Sequence, residues 1–306
     1  MRRYHWTYLV LICLFYSACA TNERSSSILS FHSVAAKLIS TTPDLEHFFK
    51  EGPFSYEVRH NFVIRVNADE VLHSDLYLSE QSGKAPLLIF QHGNKANKDV
   101  HAEQARRAAS WGFHAMVIEQ PNHSRWILNG LVLADLVRML YRWPNLLNSQ
   151  FDRDRIILIG HSFGGSAVSI AAGSDCPVAG VILLDPALVS SAVQRYFEQI
   201  HVPVVLLGAD PQIFQSRRRS SFYKMIQTDM IEVSVAGSTH NDAQYPNMFR
   251  WQQILGLEPE PKQELQEVFA SAIVASSFSI ASTHSTFYAW QAFRTHRDRF
   301  AKIQRK

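Results

Sequence analysis

Apolar and polar residues alternate in the N-terminal third of the chain. The alternation covers residues 56–66 and 71–78, with a short polar turn between them. A period of two predicts strands with one buried face, and two such strands joined by a turn predict an antiparallel hairpin at one edge of a sheet. Residues 31–52 before the hairpin predict a short helical lead-in.

From residue 87 onwards, short apolar runs alternate with helix-compatible segments. The predicted strands are residues 87–90, 115–118, 155–160, 181–184, 202–207 and 230–235. The predicted helices are residues 100–111, 131–143, 166–173, 213–226 and one long helix over residues 264–293. This order implies crossover units and a mostly parallel sheet.

The predicted fold class is therefore α/β. We expect a mostly parallel, doubly wound sheet with an N-terminal antiparallel hairpin and helices on both faces. No internal repeat or linker interrupts residues 31–306, which predicts a single domain that ends in the long helix.

The first 30 residues predict export. A basic start precedes an apolar core over residues 8–16, which is typical of a signal peptide and too short for a membrane span. Two cleavage routes stay open: release after Ala20, or lipidation of Cys19, which would attach the protein to a membrane. Residues 1–20 are the predicted signal and residues 21–30 a polar tether. We expect a protein of the bacterial cell envelope, either lipid-anchored or periplasmic or secreted.

Composition adds one exclusion. The chain has 306 residues, 46% hydrophobic and 19% charged, with a formal net charge of +3. Residues 294–306 carry six Lys or Arg and one Asp, so the rest of the chain is near neutral. This distribution argues against a nucleic-acid groove, which needs cations clustered on a folded face. The basic tail is predicted to be a solvated helix end.

A Gly-x-Ser-x-Gly pattern lies at the centre of the parallel part of the chain. It occupies residues 160–164 and places Ser162 between the buried run 156–159 and a helix of small residues. A serine on such a tight strand-to-helix turn projects its hydroxyl from the top of a parallel sheet. The sequence therefore predicts Ser162 as a nucleophile.

Residues that follow other strands supply the partners of such a serine. After the first parallel strand, the loop at His92 and Gly93 predicts an oxyanion hole made by the backbone amides of Asn94 and Phe163. Of the 14 histidines, only His240 lies in the small-residue turn directly after the last predicted strand, and it is the expected base. His92 and His161 flank the site as structural or substrate-lining residues.

The acid has two candidates. Asp185 and Asp210 each follow a predicted parallel strand, and either order suits a serine, acid, histidine sequence. The other aspartate would cap a loop. Three more histidines, His101, His114 and His123, lie in surface-type sequence contexts.

Five segments resemble motifs of the platelet-activating factor acetylhydrolase family of α/β-hydrolases: residues 90–93, Glu119, residues 160–165, residues 183–186 and residues 237–240. The resemblance implies an α/β-hydrolase fold, ester hydrolysis and Asp185 as the acid. Bacterial polyester hydrolases and cutinases are more distantly similar and carry the acid after the next strand, nearer Gln212. The polar loop at residues 94–97 departs from the acetylhydrolase pattern, which leaves the acyl preference open.

No metal-binding or cofactor-binding motif is present in the sequence, so no cofactor is expected. The cluster Arg217, Arg218 and Arg219 is predicted to be a solvated helix start, with attraction of an anionic substrate group as the alternative.

The sequence thus predicts an exported serine hydrolase that cleaves a small ester or lipid through Ser162, His240 and Asp185 and uses neither nucleic acid nor cofactor. Two alternatives stay open: a non-catalytic envelope binding protein on the same fold, and an amidase or peptidase with the same triad. The oligomeric state is not predicted.

Overall fold

A computed structural model of the protein describes residues 29–122, 124–147, 150–246 and 260–306. The predicted signal peptide, Cys19, most of the tether and His123 lie outside the described residues. Within them, one mixed sheet has the strand order β1-β2-β4-β3-β5-β6-β7-β8-β9. The strands are β1 Tyr56–Arg65, β2 Val71–Ser79, β3 Ala85–Gln91, β4 His114–Ile118, β5 Phe151–His161, β6 Gly180–Leu184, β7 Val204–Gly208, β8 Met230–Val235 and β9 Phe300–Arg305.

The helices connect these strands and cover both faces of the sheet. They are α1 Phe31–Ile39, α2 Ala102–Ser110, α3 Trp126–Arg142, α4 Phe163–Ala172, α5 Gln194–Phe197, α6 Arg219–Met225, α7 Gln263–Thr283 and α8 Phe287–Thr295. Helices α1, α2, α7 and α8 pack on one face, and α3 to α6 pack on the other. Alternate residues of β5 enter the two cores, with Ile157 and Ile159 on one side and Ile156 and Leu158 on the other.

Strands β3 to β8 pair in parallel, and antiparallel pairing adds the β1–β2 hairpin at one edge and β9 at the other. The predicted α/β fold class is therefore confirmed. The strand order reverses between β3 and β5, because the chain continues from β3 to β4 on one side and returns to β5 on the other. Ligands of such sheets bind in the crevice at this reversal, beyond the carboxyl ends of the strands.

The prediction of one long C-terminal helix is wrong, because this segment forms two helices, α7 and α8. Helix α7 ends at Thr283, where His284 adopts a left-handed conformation with φ of 51°. Asp229 stabilises the break: its carboxylate accepts hydrogen bonds from the Ser285 hydroxyl at 2.8 Å and from the amide and hydroxyl of Thr286 at 2.8 and 2.7 Å. By length and composition α7 could cross a membrane, but 83% of its apolar window is buried in the protein, as a core helix requires.

The basic tail was predicted to be a solvated helix end, and this is wrong. Residues Phe300–Arg305 form β9, which extends the sheet beyond β8. Its cations are paired, because Lys302 Nζ lies 2.8 Å from the buried carboxylate of Glu232 and Arg305 Nη2 lies 3.0 Å from Asp229. Both carboxylates come from distant positions in the sequence, so the run of basic residues gave no local indication of a strand.

Phe278 of α7 joins four aromatic rings from separate segments and is 1% exposed. Its ring centroid lies 5.0 Å from Phe31, 5.5 Å from Phe48, 5.1 Å from Phe113 and 6.0 Å from Trp111. The cluster fastens the N-terminal lead-in, which precedes the sheet, to the last long helix.

We predict that Phe278→Ala lowers the free energy of unfolding by about 3–5 kcal/mol, because truncation of a buried phenylalanine leaves a cavity. Guanidinium unfolding followed by circular dichroism measures the change. Phe287→Ala is the matched control: that ring is 45% exposed, and surface substitutions change stability by about 0.5 kcal/mol or less. Equal losses for the two variants would contradict the role assigned to the aromatic cluster.

Candidate active site

Ser162 occupies a strained turn between β5 and α4. Its φ of 54° and ψ of −122° lie outside the usual regions for a residue with a side chain. Two backbone hydrogen bonds hold the turn, from Ser162 N–H to the Leu184 carbonyl at 3.1 Å and from Ala187 N–H to the Ser162 carbonyl at 2.9 Å. The end of β6 and the residues after it therefore hold this conformation, which places the serine at the carboxyl edge of the sheet.

The loop after β3 packs directly on this turn. A Cβ at Gly164 would lie 2.5 Å from the carbonyl oxygens of Gln91 and His92, and a Cβ at Gly93 would lie 2.7 Å from the Cβ of Ser162. Neither position has room for a side chain. The glycines thus permit the close approach that brings the Asn94 and Phe163 segments to one place.

His240 and Asp185 meet at the ends of β8 and β6. The Nδ1 of His240 lies 2.5 Å from Oδ2 of Asp185, whose side chain is fully buried. A carboxylate accepts, so Nδ1 carries the proton and Nε2 keeps the lone pair of the neutral ring. The pair is arranged as an orienting acid and a base, and it lies at the same sheet edge as Ser162.

Asp210 is the other candidate acid, and in the described part of the chain its carboxylate accepts backbone amides and forms no hydrogen bond with His240. It accepts the amide of Gln212 at 2.9 Å and the amide of Gly237 at 2.8 Å. Its own amide donates to the Ser238 carbonyl at 3.1 Å. Asp210 therefore ties the loop after β7 to the loop that leads to His240.

Arg219 is part of this site, although the sequence predicted it to be solvated. Its side chain is 3% exposed, and Nη1 donates to Oδ1 of Asp185 and, at 2.9 Å, to the Ala209 carbonyl. Gly208 makes room for it, because a Cβ there would lie 2.7 Å from the guanidinium. Arg217 and Arg218 are exposed, so the cluster is solvated at two of its three positions.

Asp185 is therefore a buried carboxylate with charged partners. Burial by itself raises the pKa of its carboxyl. The hydrogen bond from His240, the charges of His240 and Arg219, and the Ala209 amide at 3.0 Å outweigh burial and hold the pKa below its usual value. Asp185 stays ionised, as a residue that orients an imidazole must.

His92 and His161 are buried and fixed by hydrogen bonds. The Nδ1 of His92 donates to the Gly93 carbonyl at 2.8 Å, and Nε2 accepts the Gln120 amide at 3.2 Å. The Nε2 of His161 lies 3.1 Å from the His240 carbonyl, and its ring centroid lies 4.4 Å from that of His240. Both rings support the loops around the site.

The surface contexts predicted for His101 and His114 are wrong. Each is 1% exposed, and burial lowers the pKa of each imidazole to about 4. His101 bonds to Gln104 through Nδ1 at 2.6 Å, and His114 Nδ1 accepts the amide of Ser79 at 3.2 Å. Among the described residues, no group of three or more His, Cys, Asp or Glu side chains could hold a metal ion.

An open cleft of about 670 Å³ lies beside Ser162. Asn94 and Phe163, whose amides are the predicted oxyanion donors, both line it. Trp126, at the start of α3, packs against Phe163 with ring centroids 5.6 Å apart. The cleft therefore starts at the nucleophile turn and extends towards α3.

The chain matches a known protein family and is similar to several known proteins. The model of the alpha/beta hydrolase family matches residues 92–294. The chain is similar to Cutinase 1 of Thermobifida cellulosilytica, with 24% identity over 206 residues that cover 64% of this chain and 75% of that protein. It is also similar to a cutinase of Thermobifida fusca strain YX, with 24% identity and 64% and 65% coverage, and to Cutinase est1 of Thermobifida alba, with 25% identity and 62% and 64% coverage.

We predict that Arg219→Met lowers the free energy of unfolding at pH 7 by about 3–5 kcal/mol, because it leaves the buried Asp185 charge without its cation. The folded-state pKa of Asp185 is lowered, so its ionised form stabilises the fold above the unfolded pKa of about 4. That contribution is lost as the pH falls through the folded pKa. The difference between wild type and variant should therefore shrink below about pH 4.

Urea unfolding at several pH values measures this difference. Arg218→Met, next in sequence and exposed, is the control and should cost about 0.5 kcal/mol or less. An Arg219→Met protein as stable as the control at pH 7 would show that the pair contributes nothing to the fold.

Proposed function

The chain belongs to the alpha/beta hydrolase family, and on that premise we propose that it is a serine hydrolase of carboxylic esters. The hydrogen bond between His240 Nδ1 and the buried Asp185 carboxylate carries the proposal. It fixes a base at the sheet edge where Ser162 occupies a strained strand-to-helix turn. The similarity to three Thermobifida cutinases supports ester bonds as the target.

In the proposed cycle, the Ser162 hydroxyl attacks the ester carbonyl while Nε2 of His240 takes its proton. The amides of Asn94 and Phe163 stabilise the oxyanion of the tetrahedral intermediate. His240 then returns the proton to the leaving alcohol, and an acyl-enzyme remains on Ser162. Water, deprotonated by His240, attacks the acyl group, and the carboxylic acid leaves with Ser162 restored.

Asp185 holds the imidazole in the tautomer that this cycle needs. Because it is ionised and buried, it also stabilises the imidazolium that forms when Nε2 takes the proton. Arg219 prevents the carboxylate from taking that proton itself, since its guanidinium favours the charged form of Asp185. The ester and water are the only reactants.

The substrate we propose is a small ester with a short or medium acyl chain. The cleft is open, and the motifs around Ser162, Asp185 and His240 resemble those of platelet-activating factor acetylhydrolases. We also propose that the enzyme acts outside the cytoplasm, either released after Ala20 or anchored through acylated Cys19. The basic and apolar pattern of residues 1–20 supports export.

The test is hydrolysis of p-nitrophenyl acetate, butyrate and octanoate by residues 21–306, in wild type and single variants. We expect Ser162→Ala to lower kcat about 10⁶-fold and Asp185→Asn about 10⁴-fold, because the amide favours the wrong imidazole tautomer. Asp210→Asn is the matched control. It should keep kcat and cost about 1 kcal/mol of stability through the weakened loop bonds.

Turnover by wild type no faster than by Ser162→Ala would refute the esterase function and leave a binding protein on this fold as the leading alternative. Loss with Asp210→Asn in place of Asp185→Asn would move the acid to the loop after β7. Faster cleavage of matched anilides than of esters would favour an amidase.

A further inference from the structure

The cleft beside Ser162 is cationic. Arg125, before α3, and Arg217, before α6, both line it and are both exposed. No Asp or Glu occurs among the described residues that line the cleft. Neither arginine forms an ion pair with a carboxylate in the described part of the chain. Two cations without acidic partners in a concave site attract an anionic group.

The position of the oxyanion donors determines which part of an ester enters this cleft. In the proposed cycle the leaving oxygen must face His240, because that ring gives it a proton. Asn94 and Phe163 line the cleft, whereas His240 does not. The carbonyl group therefore has the histidine on its alcohol side and the cleft on its acyl side.

The two sides of the site also differ in polarity. Next to His240 the described residues include an exposed apolar side chain: the Phe214 ring centroid lies 5.0 Å from that of the imidazole, and Phe214 is 37% exposed. Its neighbour in sequence, Ile213, is 55% exposed. On the acyl side, Trp126, Leu128 and Val189 offer apolar walls, and the arginines provide charge. An apolar alcohol fits the first side, and a methylene chain that ends in an anion fits the second.

We propose that the preferred substrates are esters whose acyl chain ends in a carboxylate, that is, half-esters of dicarboxylic acids. Trp126, Leu128 and Val189 contact the methylene groups, and Arg125 and Arg217 bind the terminal carboxylate. This inference rests on the proposed ester hydrolase function, since it assigns the acyl side from the oxyanion donors.

The experiment compares mono-p-nitrophenyl glutarate with p-nitrophenyl valerate. The two share a leaving group and differ in the charge at the end of a five-carbon acyl chain. For wild type, kcat/KM should be higher for the glutarate, and this ratio should fall as salt is added. Arg217→Gln and Arg125→Gln should each lower the ratio about 10-fold, equivalent to about 1.4 kcal/mol.

Arg218→Gln is the control, because it removes the same charge at an exposed position outside the cleft lining. It should leave the ratio within about 2-fold of wild type, because Arg218 does not line the cleft and its exposed charge is screened by solvent and salt. A further substrate pair places the charge on the alcohol instead: butyrate esters of 4-hydroxybenzoate and of its methyl ester. Their ratio should be insensitive to Arg125 and Arg217.

The outcomes separate the two proposals. A wild type that hydrolyses valerate but shows no glutarate preference, or equal losses for Arg217→Gln and Arg218→Gln, would overturn the carboxylate preference and leave the esterase function intact. A preference that follows the charge on the alcohol would place the anion on the other side of Ser162. A wild type that matches Ser162→Ala on every ester would remove the esterase function itself.

Discussion

The buried charge of Asp185 is the constraint on which the site depends. Burying an ionised carboxylate away from water raises the free energy of the folded state unless charged or hydrogen-bonding donors surround it. Here the donors come from two connections: Ala209 and Arg219 lie between β7 and β8, and His240 follows β8, while Asp185 itself follows β6. The loops after three neighbouring strands must therefore assemble around one carboxylate. The same contacts that make its burial tolerable also orient the imidazole.

A second requirement is steric and acts on the other side of Ser162. The loop after β3 approaches the nucleophile turn so closely that neither Gly93 nor Gly164 has room for a Cβ. The hydrogen bonds of the His92 ring with the Gly93 carbonyl and the Gln120 amide stabilise that loop. Close backbone packing and fixed histidines thus hold the proposed oxyanion donors in place before substrate binds, as preorganised electrostatic stabilisation requires.

The sequence predicted well what depends on local pattern. The buried run at residues 156–159, the small residues around Ser162 and the polar residues after each strand were sufficient to predict the parallel sheet and to bring Ser162, Asp185 and His240 to one edge. Features that depend on distant partners could not be found this way. In sequence Arg219 looks like Arg218, but in the fold it pairs with Asp185. The one indication of this in the sequence is Gly208, whose lack of a side chain leaves space for the Arg219 guanidinium.

The same reason accounts for the other misjudged segments. The six cations of residues 294–306 indicated exposure, yet Glu232 and Asp229 neutralise two of them and allow a strand. His101 lies in a polar stretch, whereas His114 follows Phe113 and begins β4. Both are buried through distant partners, since His101 packs near Phe90 and His161 and His114 accepts the amide of Ser79. Charge pairing and burial depend on the whole fold, so they cannot be predicted from a short stretch of the sequence.

The position of β9 has a consequence for the order in which the protein is made. The strand next to the His240 loop, β8, has one edge covered by β7 and the other only by residues Phe300–Arg305. The Ala236 amide at the start of that loop bonds to the Arg299 carbonyl at 3.0 Å. A ribosome makes residues 299–305 well after β8, because helices α7 and α8 lie between them in the sequence. The outer edge of β8 therefore stays unpaired during that interval. An uncovered edge strand has free backbone N–H and C=O groups that can pair with a wrong segment or another chain. The chain thus completes the support of its proposed base only after α7 and α8 have been made, and a product that stops before β9 lacks that support.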